Sequence, residues 1–267
     1  MKVNFKDERA VIIDNFLPDE LFDQLATLLE FESYEFVNGI RWNRVFRLLD
    51  GRPLAGRDFL HCGSQPLTHC EGSRRRLLIL PSGTVIDEVL SRLSELPHDH
   101  DDFFHPYRPE PNYVGARPWI YPTGTGLSWH DDRATRVPGF ILYCHPEWSA
   151  SWGGELLVAD SDCTEIPRRL HWNPMRDVET ALPYGMSADV EISAHLMQSC
   201  PGLFVLPAPN RLVILQPGVM HAIKRVETAA GERSRRSLSG QFMDMEAAIR
   251  YYTAQGDKLR VDSTKFL

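Results

Sequence analysis

Two segments in the first hundred residues carry the hydrophobic spacing of amphipathic helices. In the first, residues 15–32, four leucines recur at positions i, i+4, i+7 and i+8 and would share one helical face: Leu21, Leu25, Leu28 and Leu29. Pro18 suits the first turn of this helix, and two acidic residues follow it. Residues 84–97 predict a second helix, and the polar, proline-containing residues 97–112 predict a loop.

From about Arg117 the pattern changes to short apolar or alternating segments, and Gly, Pro or Asn marks most of their junctions. Such segments predict strands. Eight are found, at residues 117–122, 127–133, 139–145, 154–160, 202–207, 211–217, 218–226 and 234–242. The fifth and sixth read as a hairpin. Eight short strands without intervening helices favour a mainly β fold, a double-stranded β-helix (the cupin-like jelly roll), with the N-terminal helices packed on its outside.

These elements predict a single domain over 1–267. Residues 1–116 would form N-terminal helical support and loops, 117–242 the jelly-roll core, and 243–267 a C-terminal helix and tail. The insertion 161–201 has no clear periodicity, and a connection of this length is usually functional or disordered. We interpret it as a mobile lid over a pocket, with a surface elaboration or an oligomer contact as the alternative. Its candidate substrate contacts are Arg168, Arg169, His171, Trp172 and Arg176.

Composition and charge narrow the classes of partner. Hydrophobic residues make up 43% of the 267, and the formal net charge is −7, which with no broad basic stripe argues against a nucleic-acid partner. No segment approaches the roughly 18 apolar residues of a membrane span. The charged N-terminus does not resemble a signal peptide, so we expect a cytoplasmic protein. The five cysteines form no recognisable framework, and nothing in the sequence indicates an oligomeric state.

The segment SWHDDR, residues 128–133, raises the question of a metal site. Side chains alternate along a strand, so His130 and Asp132 would point one way and Asp131 the other. His221 lies on the predicted seventh strand, which pairs with the second in a jelly roll. The three residues would then form the two-histidine, one-carboxylate set of non-haem Fe(II) oxygenases. The alternative is a surface His–Asp pair and a core histidine.

Four segments resemble one enzyme family in order and content: YPTGTGLSWHDD, GFILYCHPEWSASWGGELLV, GVMHAIKRV and SRRSLSGQF. The chain resembles the prolyl 4-hydroxylase type of Fe(II)/2-oxoglutarate-dependent dioxygenases, and most closely the catalytic domain of ribosomal prolyl hydroxylases. The resemblance covers roughly residues 117–242, with a weaker match near 13–25.

This resemblance implies a hydroxylase that uses Fe(II), 2-oxoglutarate and O2, with ascorbate as an optional supporting reductant, and releases succinate and CO2. It implies that His130, Asp132 and His221 are the catalytic iron ligands. Arg235 matches the arginine that binds the distal carboxylate of 2-oxoglutarate, and Arg236, on the opposite strand face, is the competing candidate. A planar guanidinium suits a carboxylate because it donates two parallel hydrogen bonds. Two further residues match cosubstrate contacts, Tyr121 and Leu127.

Three departures from the family concern the substrate. Gln241 stands where relatives often have tryptophan, the chain has one jelly-roll core where the eukaryotic enzymes have two, and the insertion 161–201 has no family counterpart. The favoured substrate is a small molecule, such as an amino acid or a biosynthetic intermediate. The alternatives are a prolyl residue in a protein or peptide and, without turnover, a cupin-like binding protein.

Overall fold

A computed structural model of the chain describes residues 1–37, 51–63, 66–70, 77–105, 113–130, 132, 137–160, 202–254 and 256–261. The insertion 161–201, Asp131 and the C-terminal residues 262–267 therefore lie outside the described residues. The helices of the described part are α1 (Asp19–Glu30), α2 (Val85–Asp99), α3 (Asp101–Phe104) and α4 (Met245–Ala254). None of them has the length and apolar character needed to cross a bilayer.

The strands of the described part fall into three groups: those before the predicted core, those within it and one after it. Before it come β1 (Lys2–Lys6), β2 (Ala10–Asp14), β3 (Glu35–Phe36), β4 (Leu54–Ala55), β5 (Asp58–His61), β6 (Leu67–Cys70) and β7 (Leu77–Ile79). The core strands are β8 (Tyr113–Tyr121), β9 (Leu127–His130), β10 (Gly139–Tyr143), β11 (Leu156–Val158), β12 (Leu203–Val205), β13 (Leu212–Leu215), β14 (His221–Ile223) and β15 (Arg235–Met243). A last strand, β16 (Lys258–Val261), follows α4.

The core strands divide between two sheets whose described pairings are almost all antiparallel. The larger sheet has the order β1-β2-β13-β10-β15-β8-β4-β3, with β5 also pairing with β8 and, in parallel, with β7. The smaller sheet has the order β12-β11-β14-β9, and β16 pairs with β6. The fold is therefore mainly β, as the alternation of the sequence predicts, and each of the eight predicted core segments contains a strand.

Strand β10 illustrates how the sheets are layered. Phe140 and Leu142 join a helix-side core with residues of α1, α2 and α3, whereas Ile141 and Tyr143 join an inter-sheet core with β11 and β12. Alternate residues of one strand therefore serve two cores. The predicted placement of the N-terminal helices against the outside of the larger sheet is confirmed. We call the opposite face of that sheet, toward the smaller sheet, its inner face.

Two sequence-based expectations are wrong. The predicted loop 97–112 begins with helix: α2 runs through Pro97 to Asp99, and α3 follows, because burial of Phe103 and Phe104 draws the chain back onto the core. The predicted hairpin does not form, because β12 and β13 lie in different sheets. At the crossing Asn210 adopts a φ of 57°, and its side chain binds both the N–H and the C=O of Leu17, at 2.9 and 2.7 Å.

The sequence analysis also missed the strands before residue 80. Strand β1 is largely exposed, and β3 and β4 have two residues each, so none carries a periodic signal. They are strands because neighbours supply their hydrogen-bond partners, as when β2 extends the larger sheet beside β13. The first core strand begins at Tyr113, four residues before the predicted boundary at Arg117.

Candidate active site

The smaller sheet brings the two candidate histidines together. Strand β9 ends at His130 and β14 begins at His221, and these two residues are direct partners in the antiparallel pairing. The predicted pairing of the second and seventh core strands is confirmed. The imidazole centroids lie 4.2 Å apart. The pairing of β9 with β14 thus brings together two histidines that are far apart in the sequence.

Backbone carbonyls orient both imidazole rings. Nδ1 of His130 lies 2.8 Å from the carbonyl oxygen of Ser128, and Nδ1 of His221 lies 2.9 Å from that of Val219. A carbonyl only accepts, so each Nδ1 carries the proton and donates it. In a neutral imidazole the lone pair then resides on Nε2, as a metal ligand requires.

Asp132 completes a group of three ligand-bearing side chains. Its Oδ2 lies 3.8 Å from Nε2 of His221, and one ligand atom from each of His130, Asp132 and His221 falls within 4.8 Å of the others. No other such group of histidine, cysteine and acidic residues occurs in the part of the chain that the structure describes. Two imidazoles and one carboxylate fit Fe(II), and they leave other coordination positions open.

Arg235, the first residue of β15 in the larger sheet, is a buried charged residue. Its side chain is fully buried, with 0% exposure. Nε donates to the carbonyl of Gly154 at 2.9 Å and Nη1 to the hydroxyl of Ser237 at 3.4 Å. Nη2 has no hydrogen-bond partner in the described part of the chain. No carboxylate of a described residue forms an ion pair with it. Because a buried charge without a counter-ion is costly, this site calls for an anionic ligand.

Two tyrosines enclose the Arg235 guanidinium. Its Cζ lies 5.1 Å from the ring centroid of Tyr121, its partner across β8 and β15, and 4.8 Å from that of Tyr143. The hydroxyl of Tyr143 is buried and finds no hydrogen-bond partner among the residues that the structure describes. Nη2 of Arg235 and this hydroxyl are therefore two buried donors in one pocket. Leu127, the other predicted cosubstrate contact, begins β9 opposite Ile223 and packs at the inter-sheet core.

Sequence reasoning missed Tyr143, because GFILY reads as an ordinary hydrophobic strand. The available signal was alternation, which places Tyr143 on the inner face opposite Ser237, two residues from Arg235. Alternation also separates the competing arginines. Arg236 lies on the outer face, where its Nη2 is 3.9 Å from Oε1 of Glu30, so the inner-face pocket contains Arg235 alone of the two.

His145, at the end of the third predicted core segment, is a buried histidine with 1% exposure. Its Nε2 lies 2.6 Å from the carbonyl oxygen of Pro207, and its Nδ1 accepts the backbone N–H of Arg236 at 3.3 Å. Burial is the main cause that lowers the pKa of His145 from 6.5 to about 4. The folded protein therefore holds this ring neutral.

This lowered pKa predicts a pH dependence of stability. The unfolded chain protonates His145 near pH 6.5, whereas the folded chain resists protonation down to about pH 4. The neutral ring therefore makes its full contribution to stability above about pH 6.5. The free energy of unfolding then falls by about 3 kcal/mol as the pH decreases to 4. Urea unfolding across this range should show a smaller decline in His145→Gln than in the wild type. Identical pH profiles would contradict the assignment.

Solved structures with the same fold are known. The chain is similar to a prolyl-4-hydroxylase from Pseudomonas putida, with a TM-score of 0.52 and 17% identity, over 88% of this chain and 92% of that one. It is also similar to a 2OG-Fe(II) oxygenase family oxidoreductase from Burkholderia pseudomallei, with a TM-score of 0.52 and 12% identity, over 91% and 94% of the two chains. No family model and no curated protein matches the sequence. The likeness agrees, at the level of fold, with the resemblance carried by the sequence motifs.

Proposed function

We propose that the protein is an Fe(II)- and 2-oxoglutarate-dependent dioxygenase that hydroxylates an unactivated C–H bond. One observation carries the proposal: a fully buried arginine, without a counter-ion among the described residues, lies between the sheets together with a His–Asp–His group. The first feature suits the distal carboxylate of 2-oxoglutarate, and the second suits the metal that its other end would chelate.

The strand pairing of the smaller sheet supports a short separation between these two features. His221 pairs with Val158, and the carbonyl that binds Arg235 belongs to Gly154, four residues earlier in the chain. Four residues of chain span at most about 14 Å, and the separation is shorter here because Gly154 lies outside β11 with a φ of 74°. The arginine side chain and a five-carbon dicarboxylate together cover a distance of that order, which supports one ligand bridging both features.

Each side chain of the site has a proposed role. His130, Asp132 and His221 would hold Fe(II), which with bound 2-oxoglutarate supplies the O2 activation that hydroxylates a C–H bond and releases succinate and CO2. Arg235 and the Tyr143 hydroxyl would donate hydrogen bonds to the distal carboxylate. Tyr121 and Leu127 would pack along the carbon chain of the cosubstrate and keep water from it.

The strand order supports the finer fold assignment. The two sheets contain the core strands in the orders β13-β10-β15-β8 and β12-β11-β14-β9, and consecutive core strands change sheet everywhere except between β11 and β12. This order supports an eight-stranded jelly roll. We therefore assign the core to a double-stranded β-helix within one domain over 1–267. The favoured substrate is a small molecule, such as an amino acid or a biosynthetic intermediate. A prolyl peptide is the second candidate, favoured by the fold shared with a prolyl-4-hydroxylase.

Turnover of 2-oxoglutarate tests the proposed function. The purified protein, supplied with Fe(II), ascorbate and 2-oxoglutarate in air, should form succinate slowly even without substrate. Amino acids, carrier-bound substrates and proline-containing peptides can then be screened for acceleration. Succinate that forms only with Fe(II) supports the dioxygenase, whereas its absence at every metal concentration would favour a cupin-like binding protein.

Tyr143→Phe should weaken 2-oxoglutarate binding about 10- to 100-fold, the effect of losing one hydrogen bond to a charged group. The free protein should be at least as stable as the wild type, because the substitution removes a buried hydroxyl that has no partner among the described residues. Calorimetry with Mn(II)-loaded protein measures the first effect and thermal unfolding the second. Tyr34→Phe, which removes a hydroxyl donating to the Leu29 carbonyl at 2.8 Å, is the matched control and should not change binding. Equal affinity in wild type and Tyr143→Phe would contradict the assignment.

A further inference from the structure

A polar row follows the inner face of β15 from the arginine pocket toward the other end of the strand. Its members alternate along the strand: Arg235, Ser237, Ser239 and Gln241. Gln241 is flanked by glycine on both sides, because its cross-strand partners are Gly139 on β10 and Gly115 on β8. Neither neighbour has a side chain that could bind the Gln241 amide.

The oxygen of the Gln241 amide is consequently unsatisfied. The residue as a whole is partly buried, yet its Oε1 atom is shielded from solvent and has no hydrogen-bond partner among the described residues. An apolar side chain of similar size would avoid this cost, since a buried polar atom without a partner is unfavourable. The unsatisfied amide therefore needs an explanation outside the packing of the free protein.

The surroundings show which side of Gln241 faces the candidate metal ligands. A Cβ built on Gly139 would lie 3.6 Å from Oδ2 of Asp132, so the carboxylate lies above Gly139, next to Gln241 in the sheet. On the other side, a Cβ on Gly115 would lie 2.6 Å from the Tyr252 hydroxyl and 2.7 Å from Cε of Met243. The side toward Gly115 is filled, so the side toward Asp132 is the one on which a ligand can lie.

We infer that Gln241 binds a neutral amide group of the substrate and thereby sets the substrate class. This inference rests on the proposed function. A carboxamide donates and accepts in one plane, so a second amide satisfies both of its ends. A substrate carboxylate offers acceptors only, would leave Oε1 unsatisfied, and would approach the negative charge of Asp132.

The described cations on the inner face of β8 and β15 do not offer a better alternative. Arg235 lies in the proposed cosubstrate pocket. Arg117, opposite Ser239, donates through Nε to the Gly56 carbonyl at 2.9 Å and lies 3.9 Å from the buried Asp58 carboxylate. Arg117 is thus paired, Arg235 is assigned to the cosubstrate, and the β15 side chain beside Gly139 is the neutral amide of Gln241.

The test uses propionamide and propionate as matched probes of the protein loaded with Mn(II) and 2-oxoglutarate. Paramagnetic relaxation of the probe methyl protons reports binding beside the metal and needs no turnover. Wild type should relax propionamide more strongly than propionate, and Gln241→Met should weaken the propionamide effect about tenfold, the loss of roughly one hydrogen bond. Failure of Mn(II) and 2-oxoglutarate to bind the wild type would instead refute the proposed function.

Thermal unfolding of the metal-free protein separates binding from packing. Gln241→Met should raise the Tm by about 2–4 °C, because it replaces an unsatisfied amide. Gln216→Met is the matched control: its amide also has an unpaired Oε1, but its Nε2 donates to the Phe103 carbonyl on the outer face. This control should lower the Tm and leave propionamide binding unchanged. A propionamide effect that is equal in wild type and Gln241→Met, or a lowered Tm for Gln241→Met, would overturn the inference.

Discussion

Alanine at His130, Asp132 or His221 should abolish metal-dependent succinate formation. Each substitution removes one of the three candidate iron ligands, whose ligand atoms lie within 4.8 Å of one another, and two remaining ligands hold a divalent metal poorly. Metal binding should fall in parallel, which Mn(II) titration followed by electron paramagnetic resonance measures without any need for turnover. The loss of metal affinity should be largest for His221→Ala, because His221 is buried with 5% exposure and its ring is oriented by the Val219 carbonyl.

Asp132→Ala is the cleanest of the three variants. The Asp132 side chain is 43% exposed, so its removal should leave the free energy of unfolding nearly unchanged while activity disappears. Asp131→Ala is the matched control, because strand alternation predicts that this neighbour points away, although Asp131 lies outside the described residues. Activity in Asp132→Ala together with its loss in Asp131→Ala would show that the assigned ligand is wrong.

Replacing Arg235 with methionine should raise the apparent Kd for 2-oxoglutarate by about 30-fold to several thousand-fold. Truncating one partner of a buried, hydrogen-bonded charge pair costs about 2–5 kcal/mol, and each 1.4 kcal/mol corresponds to about tenfold. Methionine preserves much of the side-chain volume between the two tyrosines, so the loss reports the guanidinium rather than a cavity. Metal binding should remain, because Arg235 belongs to the other sheet from the two histidines.

Arg236→Met is the control for this experiment. Arg236 is on the same strand and is adjacent in sequence, but it faces α1, where Glu30 is its ion-pair partner. Its removal should leave the Kd for 2-oxoglutarate within about twofold, since an exposed ion pair contributes little. The assignment would fail if the two variants affected 2-oxoglutarate affinity equally.

The core strands were predictable because each combines β-forming residues with clear punctuation. In β10 the run GFILY stands between two proline-containing segments, and in β15 the alternation of SRRSLSGQF separates inner from outer residues. The His130–His221 pairing followed from the strand order of one architecture. These predictions needed only the local sequence pattern and one long-range rule, the pairing of the second and seventh strands in a jelly roll. The described structure agrees with them.

Other features depended on tertiary partners that no local pattern records. Strand β1 is polar and exposed, and its neighbour β2 makes it a strand. Tyr143 reads as one more core aromatic until its unpaired hydroxyl is seen beside Arg235. The turn at Asn210 resembles a hairpin turn, but its side chain binds Leu17, 193 residues away. Sequence pattern therefore predicted the mainly β architecture and the candidate metal ligands, whereas Tyr143, the proposed second donor to the cosubstrate, could be found only in the packed structure.

Anaerobic calorimetry of 2-oxoglutarate binding tests the central claim most directly, because it asks whether the metal group and Arg235 act on one ligand. With Fe(II) present, the wild type should bind 2-oxoglutarate, Asp132→Ala should lose the metal-dependent part, and Arg235→Met should bind far more weakly. Binding of 2-oxoglutarate that is equally strong without metal, or that is unchanged in Arg235→Met, would contradict the claim.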